Sequence, residues 1–420
     1  MRTLQTLRLA ILFATIYVVE GIIEPTTGVV AEPVESLLKH WGETPVEIAS
    51  FLAIVGLPWC LKPLFGFLSD FHPLHGFRRR SYLLISSAMG ALVFLLLAMT
   101  HLTHAKQLWI TALLFVATMT VAATDVVLDA RMLDVTKPLG ITARIQSVQY
   151  GAAYTGAMFA GVLGGRISES RHTDAAFMIC AMLMALQWWI IFRWMREAPL
   201  PLTSASVRPD IRGIFRGTIR SRAPMTVALL LAIFHLNPFT QASIYLYLTG
   251  PLRLNNSVYG DSLAWGSAGG LLSTIAYGLL GSRLPLLVRA NLGILGGVVS
   301  SLAYLILGRE RDLYAISLLS GFTYMLGGLA LIDLAARACP TDASGTVYAV
   351  FMSVCNLCAA LATWLGGYLY SGFTEAWGAT HGFQAFAVCG AIVTGACWVV
   401  FPKVPWRELA GASQAPTLSA

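Results

Sequence analysis

Apolar runs about as long as a membrane is thick recur along this 420-residue chain, separated by short polar stretches. A helix needs about 20 mostly apolar residues to cross a hydrocarbon core. Such runs lie at 8–30, 45–70, 80–100, 107–134, 141–167 and 174–196. After a polar segment they resume at 223–250, 258–282, 285–307, 312–337, 342–371 and 381–402. The pattern predicts an all-α polytopic membrane protein: twelve transmembrane helices in two six-helix bundles. Its expected divisions are an N-terminal bundle over 1–196, a basic linker over 197–222, a C-terminal bundle over 223–403 and a tail over 404–420. Gly and Pro fall inside several runs, and membrane helices tolerate them where neighbours satisfy the freed backbone groups.

Composition agrees. Only 12% of residues are charged, against roughly a quarter in soluble domains, so most of the surface faces something other than water. The basic excess forms no continuous patch, so nucleic acid is not an expected partner; an anionic membrane leaflet explains its sign. With the N-terminus inside, the cytoplasmic segments collect Arg2, Arg8, Arg78–Arg80, Arg131, Lys137, Arg144, Arg193, Arg196, Arg283, Arg289, Arg337, Lys403 and Arg407, besides the linker arginines. The external segments receive only Lys39, Lys106, Arg171, Arg253, Arg309 and Arg311. The positive-inside rule then puts both termini in the cytoplasm of a plasma or bacterial inner membrane. In the linker, Arg208, Arg212, Arg216 and Arg220 recur every four residues opposite Ile211, Ile214, Phe215 and Ile219. An amphipathic surface helix and a solvated loop both fit, because Gly213 and Gly217 weaken the helix. The N-terminal run exceeds a signal-peptide core and reads as the first span. All seven cysteines lie in or at the ends of apolar runs and read as packing, including the Cys355-x-x-Cys358 pair.

The densest motif is Pro58-Trp59-Cys60-Leu61-Lys62-Pro63-Leu64-Phe65-Gly66-Phe67-Leu68-Ser69-Asp70, followed by Gly76 and Arg78-Arg79-Arg80-Ser81-Tyr82. Gly66 would allow close helix contact. Asp70 at a helix end could pair with an arginine or cap a neighbouring helix N-terminus, holding a gate in one state. The Gly-x-x-x-Asp end and basic loop resemble the signature between the second and third spans of the major facilitator superfamily. The fuller string, with Tyr17 to Gly21, Asp125-Val-Val-Leu-Asp129-Ala-Arg131, Gln146-Ser147 and Asn356, resembles the folate–biopterin transporter family in particular. That resemblance implies the major facilitator fold and a small organic solute of the pterin or folate kind. Where the family is expected to have Gln in the first span, this chain has Glu20. A weak internal repeat fits two related halves: Asp129 leads through Arg131 to Gly164-Gly165, and Asp333 through Arg337 to Gly366-Gly367.

Ionisable residues inside spans cost about 2.5–3.5 kcal/mol on insertion scales, so they face partners or a cavity. Glu20 and Glu24 share one face of the first helix, and Asp125 and Asp129 one face of the fourth. Two carboxylates held close in low dielectric do not both ionise easily, which suits a site that loads and releases a proton. Glu20 or Glu24 is the expected proton carrier, with Lys62 in the same cavity; ion pairing with Lys62 or Arg131 is the structural alternative. Asp70, Arg78, Arg79, Arg80, Asp125, Asp129, Arg131 and Asp333 are expected in gating or charge relay. In the seventh span Pro238 predicts a kink, and Asn237, Gln241 and Tyr245 follow at four-residue spacing. That face suits a flat heterocycle; interhelical bonding by the amides fits it equally. Asn356 is a further cavity candidate.

No phosphate-binding Gly-x-x-x-x-Gly-Lys-Ser/Thr loop, zinc-protease His-Glu-x-x-His or Gly-x-Ser-x-Gly occurs in the chain. His101 and His104 alone are a weak metal signal. The expectation is therefore a secondary active carrier without cofactor or metal, acting as a monomer in the bilayer and coupled to protons or another ion. Two alternatives stand. Permeases for muropeptides or siderophores share the Leu57-Pro58-x-x-Leu61-Lys62 start, though Pro63-Leu64-Phe65-Gly66 follows here. An intramembrane enzyme could use Asp125 and Asp129 as its acid–base pair.

Overall fold

The computed structural model describes residues 2–139, 141–199, 221–280, 283–339 and 344–411. Helix covers each predicted run. The first span is two helices, Arg2–Ile23 and Ala31–His40, because Pro25 has no N–H to continue the ladder. The break closes instead through Gly28 N–H to the Glu24 carbonyl (2.7 Å) and Val29 N–H to that of Ile22 (2.8 Å). The second span joins Pro45–Gly56 to Lys62–Phe71 through a 3-10 stretch, Leu57–Leu61. Arg80–Met99, Gln107–Thr136, Thr142–Ser170 and Thr173–Trp194 follow as single helices. Past the undescribed stretch, the seventh span is also broken, into Arg222–His235 and Gln241–Thr249 around Pro238. Then come Asn256–Leu280, Leu286–Leu302 and Glu310–Ala338, and finally Ser344–Gly395, interrupted at Gly378 (φ +77°) between the last two predicted spans. By length and composition, eight stretches among the described residues could cross a membrane, the last long enough to hold two predicted spans. The four linker arginines from Arg208 to Arg220 lie outside the described residues.

The spans pack in pairs both within and between the halves. The fifth span lies against the first and the eighth, the second against the eleventh, the third against the sixth and the eighth against the tenth. At one end, which carries the Lys39 and Arg253 turns, the halves meet backbone to backbone. A methyl on Gly161 would lie 2.7 Å from the Gly260 carbonyl oxygen, and one on Gly165 3.0 Å from that of Asn256. Apolar burial follows the same division. At this far end one core cluster runs through both halves, from Val30, Val34 and Phe51 to Tyr247, Tyr259 and Phe383. At the opposite end, which carries Arg78–Arg80, each half has its own core: Phe13, Tyr17 and Leu128 in one, Phe234, Leu334 and Phe351 in the other. The halves share one core at the far end and keep separate cores at the basic end. Large apolar side chains such as Leu92 (56%), Ile392 (67%) and Val399 (69%) stand exposed on the outside, as lipid-facing residues do.

Gly156 shows how little room the packing leaves, since a methyl there would overlap the Val18 carbonyl oxygen of the first span. Gly156→Ala is expected to destabilise by about 1–3 kcal/mol. Gly278→Ala, on a helix with open space around the added carbon, should be neutral or gain up to about 1 kcal/mol. Thermal unfolding of the detergent-purified protein distinguishes the two.

Candidate functional site

The 3-10 stretch of the second span sets the site. It turns Trp59 and Lys62 toward the first and fourth helices. Lys62 Nζ lies 2.6 Å from Asp125 Oδ2 and 4.5 Å from the centre of the Trp59 ring. Glu20, from the first span, stands within hydrogen-bonding range of Asp125. Among the described residues, no donor reaches Glu20 Oε2. One turn along the fourth helix, Asp129 accepts from the Tyr17 hydroxyl and from Gln149 Nε2 (2.8 Å). Three carboxyl groups thus gather around a single ammonium.

Aromatic residues surround this cluster. Tyr150 lies within electrostatic reach of Asp129, Asp125 and Lys62, and Tyr348, from the opposite half, within reach of Tyr150 and Asp129. Tyr154 crosses between halves, its hydroxyl 2.8 Å from Met325 Sδ. Tyr324 stacks on Phe234 with centroids 5.9 Å apart. Tyr150 from the first half and Tyr348 from the second therefore both lie near the charged group.

The other sequence candidates fall into separate groups. Glu24 is tied into the break of the first span: it accepts from Thr26 N–H (2.9 Å), the Thr26 and Thr27 hydroxyls (2.8 and 2.7 Å) and Trp59 Nε1 (3.0 Å). Asn356 donates to the Trp59 carbonyl (2.9 Å), and Ser353 to that of Cys60 (3.0 Å), so the eleventh span props the 3-10 stretch. The Pro-Trp-x-x-Lys-Pro string is thus a junction between the first, second, fourth and eleventh spans. Asp70 binds Arg78 (3.1 Å) and Arg79 (2.5 Å); Arg79, 5% exposed, also reaches Asp134 (3.3 Å). The helix cap at Arg80 comes from Glu197, whose carboxylate accepts the N–H groups of Arg78, Arg79 and Arg80. These partners all belong to the first half. A methyl at Gly66 would make only ordinary contact with Val126 at 3.5 Å, so close helix approach is not what requires glycine in this arrangement. Arg131 donates to the Arg196 carbonyl, away from Asp125 and Asp129. In the second half Asp333 pairs with Arg289 (2.7 Å) and Arg337 (3.1 Å).

The seventh-span face is divided by the Pro238 break. Asn237 sits in the break, bonded to Ser301 (3.1 Å) and to Phe239 N–H (2.9 Å), so it does not continue the face of Gln241 and Tyr245. Gln241 is exposed, while Tyr245 is buried against Tyr259 at the far end. Sequence reasoning missed Gln149, Tyr150 and Tyr348 as site residues. Tyr150 and Tyr154 stand one helical turn apart, and that spacing was the available signal. It also missed Glu32 and Glu35, because the first apolar run ends before them; both are buried.

Comparison with known proteins bears on this arrangement. The family model described as the BT1 family matches residues 34–394. A folate-biopterin transporter of Synechocystis is 25% identical over 86% of this chain and 75% of its own length. Folate transporter 1 of Plasmodium falciparum is 20% identical over 77% of this chain and 68% of its own length. Among solved structures, a variant of the nucleoside transporter NupG superposes with a TM-score of 0.72 at 11% identity, covering 94% of this chain and 99% of that one. The fold is of the major facilitator type, as the motif around Asp70 implied.

Removing the ammonium would leave three carboxyls without a cation. Lys62→Met should therefore destabilise the protein by about 3 kcal/mol or more, and adding Asp125→Asn should restore part of that. The check is a double-mutant cycle in melting temperature. An additive double variant would show that the 2.6 Å contact contributes nothing.

Proposed function

The chain belongs to the BT1 family, and from that membership and the acid cluster between its halves we propose that it is a proton-coupled secondary transporter of a pterin- or folate-like solute. The observation behind this reading is the single Lys62 serving Glu20, Asp125 and Asp129 beside a rim of tyrosines. A pterin presents a flat ring for stacking and an edge of adjacent N–H donors, which a carboxylate accepts two at a time. Asp129 and Glu20 supply such acceptors; Tyr150, Tyr154 and Tyr348 supply ring faces. Relatives named for folate or biopterin transport favour this solute class over muropeptides or siderophores. An enzyme reading of Asp125 and Asp129 has no support in the family.

The proton enters the cycle through Glu20. Two carboxyls in contact are stable only with a proton between them, and Asp125 already neutralises Lys62. Glu20 is thus the group that must be protonated when the solute is absent or leaving. The solute path runs between the halves of one chain. The basic end faces the cytoplasm, with both termini, in a plasma or bacterial inner membrane. The fused far end then makes this the state closed to the outside. Asp70 with Arg78 and Arg79 in the first half, and Asp333 with Arg289 and Arg337 in the second, brace the cytoplasmic mouth, where alternating access opens and closes the path.

Purified protein in liposomes, given labelled biopterin or folate and an imposed pH gradient, should accumulate the intact compound. Absence of accumulation for both compounds, or their chemical alteration, contradicts the reading. Glu20→Gln should lose the dependence of uptake on the gradient. Tyr150→Ala should raise KM about three- to tenfold, the worth of one stacking contact, with a smaller change in maximal rate.

A further inference from the structure

Beneath the glycine seam at the far end lies a carboxyl that the central site does not use. Glu32 is 2% exposed, and neither of its oxygens has a hydrogen-bond partner among the described residues. A methyl on Gly260 would lie 2.8 Å from Glu32 Oε2, so the side chain presses directly on the seam between the fifth and eighth spans. Three residues along the same short helix, Glu35 is 5% exposed. The charges that act most on Glu32 are those of Glu35, Asp261, Glu169 and Arg166, three of them negative, while His40 and Arg171 line the neighbouring cavity. The fifth span supplies Glu169 and Arg166, and Arg166 is already paired with Asp261 of the eighth at 3.0 Å. The eighth adds Asp261 and the Tyr259 ring, the seventh Tyr245, and the sixth Thr173, whose hydroxyl donates to the Pro33 carbonyl (3.4 Å). Lys39, on the same helix, turns to Thr249 of the seventh span (2.8 Å). A carboxylate taken out of water with no donor and no free cation is strongly disfavoured; the neutral acid is not.

We infer that Glu32 is a second proton-binding site, separate from Glu20, whose protonation allows the far-end seam to close. Ionisation of Glu32 calls for water, which parting of the backbones of Gly161, Gly165 and Gly260 would admit. The neutral acid tolerates the dry seam. Glu35, buried beside it with no cation of its own, adds like-charge repulsion in the same direction. Closure of the outside gate thereby takes up a proton at the gate itself. This inference rests on the transporter reading for its purpose, but not on any role of Glu20.

The test needs no solute. Spin labels carried on non-natural amino acids at Arg171 and Arg253, exposed positions on far-end turns of opposite halves, report the width of the seam in the full-length protein. In the native sequence, raising pH should move the distance distribution from a short to a long population. Glu32→Gln, which is neutral and of the same shape, should hold the short population at every pH. Glu20→Gln should keep the native response. Infrared difference spectra should show one protonated-carboxyl band in the native protein that Glu32→Gln lacks. A native distribution that ignores pH, a Glu32→Gln protein that responds like the native one, or a response lost in Glu20→Gln alone would each overturn the inference. Failure of uptake by Glu20→Gln to change would leave this outcome untouched, so the two proposals fail separately.

Discussion

A charge can sit in the middle of a membrane protein only if an opposite charge, a proton or water sits with it. Lys62 meets that condition through Asp125 at 2.6 Å, and much of the first half is arranged to make the contact. The second span gives up regular helix over Leu57–Leu61 to aim Trp59 and Lys62 inward. The first span breaks at Pro25, and Glu24 holds the break to the Trp59 indole. The eleventh span reaches across to hold the Trp59 and Cys60 carbonyls. With one ammonium balanced by Asp125, Glu20 and Asp129 depend on protons, hydroxyls or a solute. The same arithmetic of charge is the reason to propose the place as the transport site.

The second organising feature is the unequal joining of the halves. A continuous core and a seam without side chains close the far end, whereas two separate cores stand at the basic end. The charged groups at the basic end respect this division, with Asp70, Arg79 and Asp134 in one half and Asp333, Arg289 and Arg337 in the other. Each half can therefore move as a body without breaking an ion pair in these two clusters. The strain of motion falls on the far-end seam and on the struts to the second span.

Much of this was legible in the sequence because membrane helices write themselves as long apolar runs, and because charged residues inside such runs are rare. Lys62, Glu20, Asp125 and Asp129 stood out for that reason, and Pro238 announced the break in the seventh span. The partners were harder to read. Glu24 and Glu20 look alike at four-residue spacing, yet only the Pro25 break explains why Glu24 spends its oxygens on Thr26, Thr27 and Trp59. Asn237 stands four residues before Gln241, but the break at Pro238 takes it out of the helix and off that face. Tyr150 and Tyr348 lie nearly two hundred residues apart and in different halves, and only the fold brings them within electrostatic reach of each other. Glu32 and Glu35 fell outside the apolar run, where a polar residue reads as a loop; burial there comes from the neighbouring helices.

The most direct measurement is an experimental structure of the protein with a reduced or oxidised biopterin bound. The ring should lie between the halves against Tyr150, with its amino edge on Asp129 or Glu20 and Lys62 still at Asp125. A ring lodged at the far end, on the lipid-facing surface, or between the halves but away from these carboxyls would contradict the assignment.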